Sequence, residues 1–417
     1  MRSGKAVVVG AGIVGASTAY ELALRGWEVE LIDRGGFGAG SSAGNCGYIC
    51  PSHVFPLAKP GAIAATLPLI LQRNSPFMIR PRLDLSLITW LARFASCCRA
   101  DLVERTSHAL NDLSQSSKAC YQRIIAAEKL ECDWEDIGCL FISHTPEHMD
   151  AFEKDNQTIR SRFGFGADRL DGAQLAAMEP TLREDLGGAW YFQCDAHLRP
   201  DRFMAALKPV LERRGVRVHE HRAATGLEGD DGKATRLLTE SGPIEADAFV
   251  FAAGAWTPKL SKALGIRLAI QPGKGYSITA KRPRSCPKYP MIFEEHRVAV
   301  TPWASGFRVG SMMEFAGYDE SIRPERLGHL TRSSALYFRE WDELDVEQSW
   351  YGWRPMTPDG RPFVGPTPKH CNVWVAAGHN MIGMSTGPAT GRLVAEMMSG
   401  EETHIDPRPF DPTRETW

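Results

Sequence analysis

A chain of 417 residues is too long for one small core, so two domains, or three, are expected. Its 43% hydrophobic and 24% charged residues are ordinary for a globular protein in water, and a net charge of −2 offers nucleic acid no basic attraction. Ten cysteines without a CxxC pair, in a chain that needs no staples, suit a reducing, cytosolic setting and exclude a disulfide framework.

The chain opens on a strand. Residues 5–10, KAVVVG, are a short apolar run ending in glycine, and no charged leader with a small-residue cleavage site precedes them, so no signal peptide is expected. AGIVGASTAYELALRG follows, with Ile13, Val14, Ala16, Ala19, Tyr20, Leu22 and Ala23 at helical spacing and Gly26 where a helix-ending glycine belongs. WEVELIDR reads as a second strand and completes a β-α-β unit.

Gly10, Gly12 and Gly15 form GxGxxG between that strand and helix. The first glycine permits the tight turn, the second lets backbone approach a pyrophosphate, and the third lets helix and strand pack closely. Free N–H groups and the positive dipole end of the helix then face the phosphates. Asp33 ends the second strand, placed to accept the ribose hydroxyls, and would repel a 2′-phosphate, which argues against NADP. The choice between FAD and NAD stays open at this motif.

Further along, GAIAATLPLILQ (61–72) is the most apolar stretch. Pro68 breaks it and it is too short to span a bilayer, which leaves room only for peripheral membrane contact. Residues 51–195 read as mainly helical, with LSLITWLARFASCC and LNDLSQSSKACYQRIIAAEKL at helical spacing and GCLFIS as a strand between helices. PDRFMAALKPVLERRG, VRVHEH and IEADAFVFAAGAW return to a helix-strand-strand rhythm. From Pro272 to about Gly310 come short alternating strands, GYSITA, RVAVTP and FRVGSM, then a charged helix over 326–341. The C-terminal part reads as loop, strand (NVWVAA), loop and helix. That helix is expected to start near Gly387-Pro388, with proline at its first position, and to stop at Gly400. No internal repeat or low-complexity run is seen. The alternation predicts one discontinuous α/β domain plus one discontinuous α+β domain.

Three segments distinguish the cofactor. GAGSSAGNCGYI (38–49) follows the acid with the small hydroxyl residues Ser41 and Ser42, ADAFVFAAGAW ends a strand in glycine, and VWVAAGHNMIGMSTGPATG does the same near the C-terminus. With these the chain resembles the FAD-dependent D-amino-acid oxidase, glycine oxidase and sarcosine oxidase superfamily, and within it the bacterial D-amino-acid dehydrogenases. VVVGAGIVG, SSAGNCG, PGKGYS, GWRPMTPDGRPFVGP and AAGHNMIG carry the likeness over nearly the whole chain, as do AKPGAIAATLPLILQRNSPFMIRP and the helix after it. Cys46 departs from it, since that branch usually reads closer to NAG than GNCG.

The resemblance implies FAD held in a Rossmann-like domain of the glycine oxidase type (1–55, 193–266 and 348–417), with a discontinuous substrate domain built on an antiparallel sheet (56–192 and 267–347). It implies oxidation of a D-amino acid or cyclic D-imino acid to the imine or 2-oxo acid, with electrons passed to a quinone or another acceptor. Two alternatives stand beside it: an oxygen-using glycine, sarcosine or D-amino-acid oxidase, and a flavoprotein subunit of a larger dehydrogenase complex. Either a homo-oligomer or a hetero-oligomer is compatible, and so is a cytoplasmic protein in peripheral contact with the inner membrane.

Cofactor contacts implied are Gly10, Gly12, Ile13, Val14, Gly15, Asp33, Arg34, Ser41, Ser42, Asn45, Gly47 and Tyr48, then Ala224 near the adenine and Gly254. Gly378, His379, Asn380, Met381, Ile382 and Gly383 would line the flavin, where a helix N-terminus favours its reduced, anionic form. His379 is read either as a base or as a ring that packs or caps.

Arg354 lies in a glycine- and proline-rich, stiff stretch, and a guanidinium held so can grip a carboxylate with two parallel bonds. In the superfamily this arginine holds the substrate carboxylate. The other reading pairs it with a structural acid such as Asp359, and Arg361 reads as structural. Tyr276 either sets its hydroxyl over the substrate carboxylate or is a core aromatic, and His53 either faces the active site or sits in a surface loop. Cys46, close to the flavin, reads as a small buried thiol rather than a covalent link. The cysteines and histidines show no metal-ligand spacing, so no metal is expected.

Overall fold

The computed structural model describes residues 3–70, 75–230 and 232–414; Leu71 and Gln72, which end the apolar stretch read from the sequence, lie outside them. The strand Lys5–Val9 is flanked on both sides by parallel partners, Glu28–Ile32 and Ala248–Phe251. Its apolar run has no polar face because both faces are covered. Six strands lie in the order Phe363–Pro366, Val373–Ala377, Ala248–Phe251, Lys5–Val9, Glu28–Ile32 and Arg217–His219, and only the edge strand Phe363–Pro366 is antiparallel.

Alternation sorts the side chains of this sheet. Ala6, Val8, Leu31 and Val250 join the core under the helices Ile13–Leu24 and Gly383–Ser399. Val7, Val9, Phe249 and Phe251 point the other way, onto Ala234, Leu237 and Ile244. Those last three belong to a meander of Ala224–Asp230, Lys233–Thr239 and Ile244–Glu245, which the sequence reading passed over. The two helices meet closely, since a Cβ on Gly391 would stand 2.5 Å from the Ser17 carbonyl carbon.

The helix Gly383–Ser399 begins earlier than expected, so Pro388 lies inside it rather than at its first position. Proline there removes the N–H that would bond the carbonyl four residues back, at Met384. The Tyr121 hydroxyl, on the neighbouring helix Ala100–Glu128, donates to that carbonyl at 2.6 Å instead. The sequence signal was a proline near a helix start; the compensating donor comes from 263 residues away.

A second, nine-stranded sheet holds Val346–Met356, Gln271–Ala280, Gly306–Phe315, Val298–Trp303, Met291–Phe293, Cys139–Ser143, Gly188–Phe192 and Asp168–Leu170 in that order, with Phe77–Ile79 beside Gly306–Phe315. Most pairings are antiparallel; Met291–Phe293 with Cys139–Ser143, and Phe77–Ile79 with Gly306–Phe315, are parallel. Four of these strands come from the region read as mainly helical; Cys139–Ser143 is the expected GCLFIS strand, and the other three are runs of three to five residues, too short for alternation to register. The GWRPM stretch, read as a loop, is the end of Val346–Met356. Residues 348–356, grouped from sequence with the cofactor-binding segments, therefore hydrogen-bond into this sheet. The charged helix runs Pro324–Ala335, not to Trp341.

The serine-rich loop ties the two sheets together. The Arg308 guanidinium donates to the Ala43 and Asn45 carbonyls at 2.7 and 2.5 Å, and Thr301 Oγ1 donates to the Cys46 carbonyl at 2.7 Å. The loop runs into a short ladder, Tyr48–Ile49 against Ala196–His197. Among the described residues no helix is long and apolar enough to cross a membrane.

Candidate active site

A cavity of about 1700 Å³ lies between the two sheets. Ordinary small-molecule pockets hold about 300–1,000 Å³, so this one has room for an extended dinucleotide with a substrate beside it. One wall is the N-terminus of Ile13–Leu24. Gly10 has φ 106°, and a Cβ there would stand 2.4 Å from the Ala252 carbonyl oxygen. The N-cap, Gly12, contributes no side chain, and the first turn holds no acid. Ser42 Oγ accepts the Ile13 N–H at 2.9 Å. Asp33 Oδ2 accepts from the Ala11 N–H and Oδ1 from the Gly35 N–H, each at 2.7 Å, which fixes the carboxylate at the cavity wall. A neutral, N–H-rich helix end and a positioned acid fit a pyrophosphate and its ribose.

Beside Asp33 stands a platform of which the sequence reading named only Arg34. The Arg34 guanidinium lies 3.4 Å from the centre of the Trp256 ring, Lys259 Nζ is 4.3 Å from the same ring, and Trp256 stacks on Tyr318 at 4.4 Å. Cations over an indole form a flat surface with positive charge, suited to a base or a phosphate. Ala224 and Gly254 line the cavity near it, and a Cβ on Gly254 would meet only open space.

At the far end, the N-terminus of Gly383–Ser399 also faces the cavity without an acid in its first turn. Asn380, at φ 51°, gives its side chain to structure: Oδ1 accepts the Thr357 N–H at 2.8 Å, and Nδ2 donates to Thr357 Oγ1 and the Gly360 carbonyl at 2.9 Å. His379 commits Nε2 to Thr390 Oγ1 at 3.0 Å, and burial pushes its pKa down to about 3. The ring is neutral and engaged, as the packing reading of it expects.

Arg354 sits between these ends. Its strand pairs with Gln271–Ala280, and a Cβ on Gly275 would fall 2.2 Å from Arg354 Nη1. The glycine of PGKGYS is therefore the floor under the guanidinium. Arg354 Nη1 donates to the Met312 carbonyl, which a bulge turns inward, with Ser311 at φ 146° and Met312 at φ 67°. Such strain is held where a site requires a group aimed out of the ladder. Among the described residues no carboxylate forms an ion pair with Arg354, and burial lowers its pKa. Asp359, the structural acid considered for it, pairs with Arg361 at 2.9 Å and with Arg414 at 3.0 Å. A cation set in a cavity wall without its anion is a site for one.

Tyr276 lines the cavity, but its hydroxyl donates to Glu314 Oε2 at 2.8 Å, and Glu314 also holds Arg80 at 2.6 Å. That hydroxyl is committed to the sheet, not aimed at a ligand. His53 lies on the cavity wall rather than in a surface loop, edge-on to Phe141 at 5.4 Å, with its pKa pushed down to about 4 by burial. Cys46 is on the wall behind Arg354, its thiol pushed up by burial, and Gly310 leaves room for its sulfur.

Ile13, Val14, Ser41, Asn45, Tyr48, Met381 and Ile382 reach the cavity. Gly15, Gly47 and Gly378 do not; they pack behind it. A Cβ would stand 1.8 Å from the Gly10 carbonyl oxygen at Gly15, 2.0 Å from that of Leu198 at Gly47, and 2.6 Å from Thr357 Cγ2 at Gly378.

Comparisons with known proteins agree with this geometry. A family model described as FAD dependent oxidoreductase matches residues 5–397. The D-amino acid dehydrogenase of Granulibacter bethesdensis is 32% identical over 412 residues, covering 96% of this chain and 97% of that protein. That of Cereibacter sphaeroides is 32% identical over 406 residues, covering 96% and 93%. Among solved structures, glycine oxidase from Geobacillus kaustophilus superposes with a TM-score of 0.81 at 23% identity over 100% of both chains. L-proline dehydrogenase from P. horikoshii does so with a TM-score of 0.76 at 21% identity, covering 99% and 97%.

Proposed function

The chain belongs to the FAD-dependent oxidoreductase family, and from that premise we propose that it oxidises a D-amino acid, or a cyclic D-imino acid, to the imine, which water converts to the 2-oxo acid where the imine is open. The observation that carries the substrate class is Arg354, half-buried in the cavity wall with no carboxylate partner among the described residues. A carboxylate is the group common to every candidate substrate. FAD, when bound, supplies the two-electron acceptor for the carbon–hydrogen bond beside the amine.

The residues of the chain do the rest. The N-terminus of Ile13–Leu24 and the Asp33 carboxylate hold the dinucleotide end, and residues 379–383 and the helix after them line the ring end. Arg354 grips the substrate carboxylate, and the Met312 carbonyl and Gly275 hold that guanidinium in place. The grip fixes where the α-carbon sits, which turns a bimolecular encounter into a positioned one. Walls that include Phe141, Met312 and Trp353 favour the neutral amine over its ammonium form, because a charge loses hydration there. His379 need not take a proton, since its ring is neutral and bonded to Thr390. The D preference rests on the relatives named D-amino acid dehydrogenase.

We also favour a membrane quinone over oxygen as acceptor. Leu57, Ile63 and Leu67 line the cavity and are exposed at its rim, and Leu83, Leu85 and Ile88 are exposed along the same tract. Lys59, Arg80, Arg82 and Arg99 of this tract are paired with Asp155, Glu314, Asp84 and Asp101, so its apolar side chains carry the reading. An exposed apolar rim suits peripheral contact with a bilayer. The decisive experiment is anaerobic flavin bleaching with D- and L-enantiomers of amino and imino acids, followed by reoxidation with a quinone or with oxygen. Faster bleaching by D-substrates and reoxidation by quinone are expected. Faster bleaching by L-substrates, or by sarcosine alone, overturns the D assignment; peroxide formed at the rate of turnover overturns the acceptor.

A further inference from the structure

We propose that Cys50, His53 and Asp195 form a binding site for a soft divalent cation of the zinc class on the wall of the substrate cavity. The residues are far apart in sequence, and two backbone devices unite them. A turn closed by the His53 N–H on the Cys50 carbonyl, at 3.2 Å, brings the thiol and the imidazole to one side. The ladder pairing Ile49 with Ala196 sets the next residue of each strand, Cys50 and Asp195, beside one another. Cys50 Sγ, a His53 ring nitrogen and an Asp195 carboxylate oxygen all lie within 4.8 Å of one another. Tetrahedral zinc with bonds of about 2.0–2.3 Å sets its ligands roughly 3.3–3.8 Å apart, so modest side-chain rotations close the site.

The carboxylate is an independent sign of a missing cation. Asp195 is 0% exposed, and among the described residues no Lys, Arg or His forms an ion pair with it. Its partners are polar and orienting: the Ser52 N–H donates to Oδ1 at 3.0 Å and Ser52 Oγ to Oδ2 at 2.6 Å, and Cys194 Sγ lies 3.6 Å from Oδ1. Ser52 Oγ is also 3.4 Å from His53 Nδ1, so one hydroxyl serves two of the three ligands, as outer-shell groups do in metal sites. A buried anion held by hydrogen bonds and left without a counter-charge is costly, and a cation between it, a thiol and an imidazole removes that cost.

The donor set selects the metal. Thiolate with imidazole suits zinc and neighbouring soft cations, while calcium and magnesium require oxygen ligands. Cys50, Ser52 and His53 line the same cavity as Arg354, so the fourth coordination position opens toward the substrate's space. Binding releases the Cys50 proton to solvent as the thiolate takes the metal, with no change of oxidation state. A bound cation therefore occupies room the substrate needs, and zinc acts as an inhibitor competing with it.

The test uses the full-length, FAD-loaded protein, stripped with chelator and dialysed against zinc chloride. One zinc per flavin is expected in the wild type and in Cys371→Ala, which removes an exposed thiol elsewhere. Cys50→Ala and His53→Ala should keep their flavin and lose zinc affinity by at least about 100-fold, since even outer-shell changes cost 10–100-fold. Asp195→Asn should lose zinc in the same way, and His53→Ala carries the test should that variant fail to fold, because Asp195 is fully buried while His53 is only partly so. Zinc should raise the wild-type KM reversibly, and calcium or magnesium chloride should not. A wild type that retains no zinc, or Cys50→Ala and His53→Ala proteins that bind it as the wild type does, overturns the proposal.

Discussion

Arg354 concentrates the proposed substrate grip in one side chain. Removing one partner of a buried charge pair costs about 2–5 kcal/mol, or roughly 30- to several-thousand-fold in kcat/KM. Arg354→Ala should lose that much on amino acids while keeping full FAD; Arg354→Lys should recover part of it, having the charge without the planar fork. Near-normal kinetics with full flavin would place the carboxylate elsewhere. Gly275→Ala tests the same grip from below: a Cβ 2.2 Å from Nη1 forces the guanidinium away, so KM should rise with little change in flavin content. His379 supports a prediction about pH. Its pKa is 6.5 in the unfolded chain and about 3 when buried, so between those values the unfolded chain binds a proton that the folded chain does not. Its contribution is complete above pH 6.5 and is lost as pH falls toward 3. His379→Gln, which can still bond Thr390, should flatten the acid side of the stability profile by up to about 1.4 kcal/mol per pH unit, read by denaturant unfolding across that window. An unchanged slope would show that the ring takes its proton in the folded state.

At the scale of elements, the helix Gly383–Ser399 depends on a neighbour. Tyr121→Phe leaves the Met384 carbonyl buried without a donor, at a cost of about 1–3 kcal/mol. The expected result is a Tm several degrees lower and easier flavin loss, since the N-terminus of this helix lines the cavity; an unchanged Tm would mean that the carbonyl finds another partner. The tract that includes Ala62–Ile70 and Leu85–Cys97 makes a different prediction. Leu83 and Leu85 are 105% and 82% exposed, values that serve no core. Leu83→Asp with Leu85→Asp should abolish co-sedimentation with vesicles of anionic phospholipid while leaving turnover with a water-soluble dye intact. Equal sedimentation of variant and wild type would remove the membrane from the proposal.

Across the whole molecule, FAD joins what the chain keeps separate. The cavity residues proposed to hold it lie near 10, 33, 42, 224, 254 and 380, carried on loops and helix ends from distant parts of the sequence. A ligand that binds only the folded state stabilises it by about 2.7 kcal/mol at 100 times its Kd. Stripping FAD should therefore lower Tm, and adding FAD should restore it in a concentration-dependent way. FMN should restore far less, because it has no adenosine ribose for Asp33 to hold. Equal rescue by FMN would show that the dinucleotide end contributes nothing.

The N-terminal β-α-β unit was legible because all its information is local: a buried strand, three glycines at fixed spacing and an acid lie within residues 5–33, and each constraint acts on its neighbours. The role proposed for Arg354 was read from its stiff glycine- and proline-rich stretch together with resemblance. The sequence left Asp359 as the other partner considered, and the fold assigns that acid to Arg361 and Arg414. Non-local pairing decided the rest. The GWRPM stretch became a strand because Gln271–Ala280 supplies its ladder, and Pro388 became an interior helix residue because Tyr121 supplies a proton donor. Cys50, His53 and Asp195 became neighbours because the ladder of Tyr48–Ile49 on Ala196–His197, and the Ser52 N–H bond to an Asp195 oxygen 143 residues away, join distant segments. Local sequence determines which backbone conformations are cheap. Tertiary structure alone determines which distant group satisfies a buried donor, acceptor or charge, and at this site those distant groups make the difference.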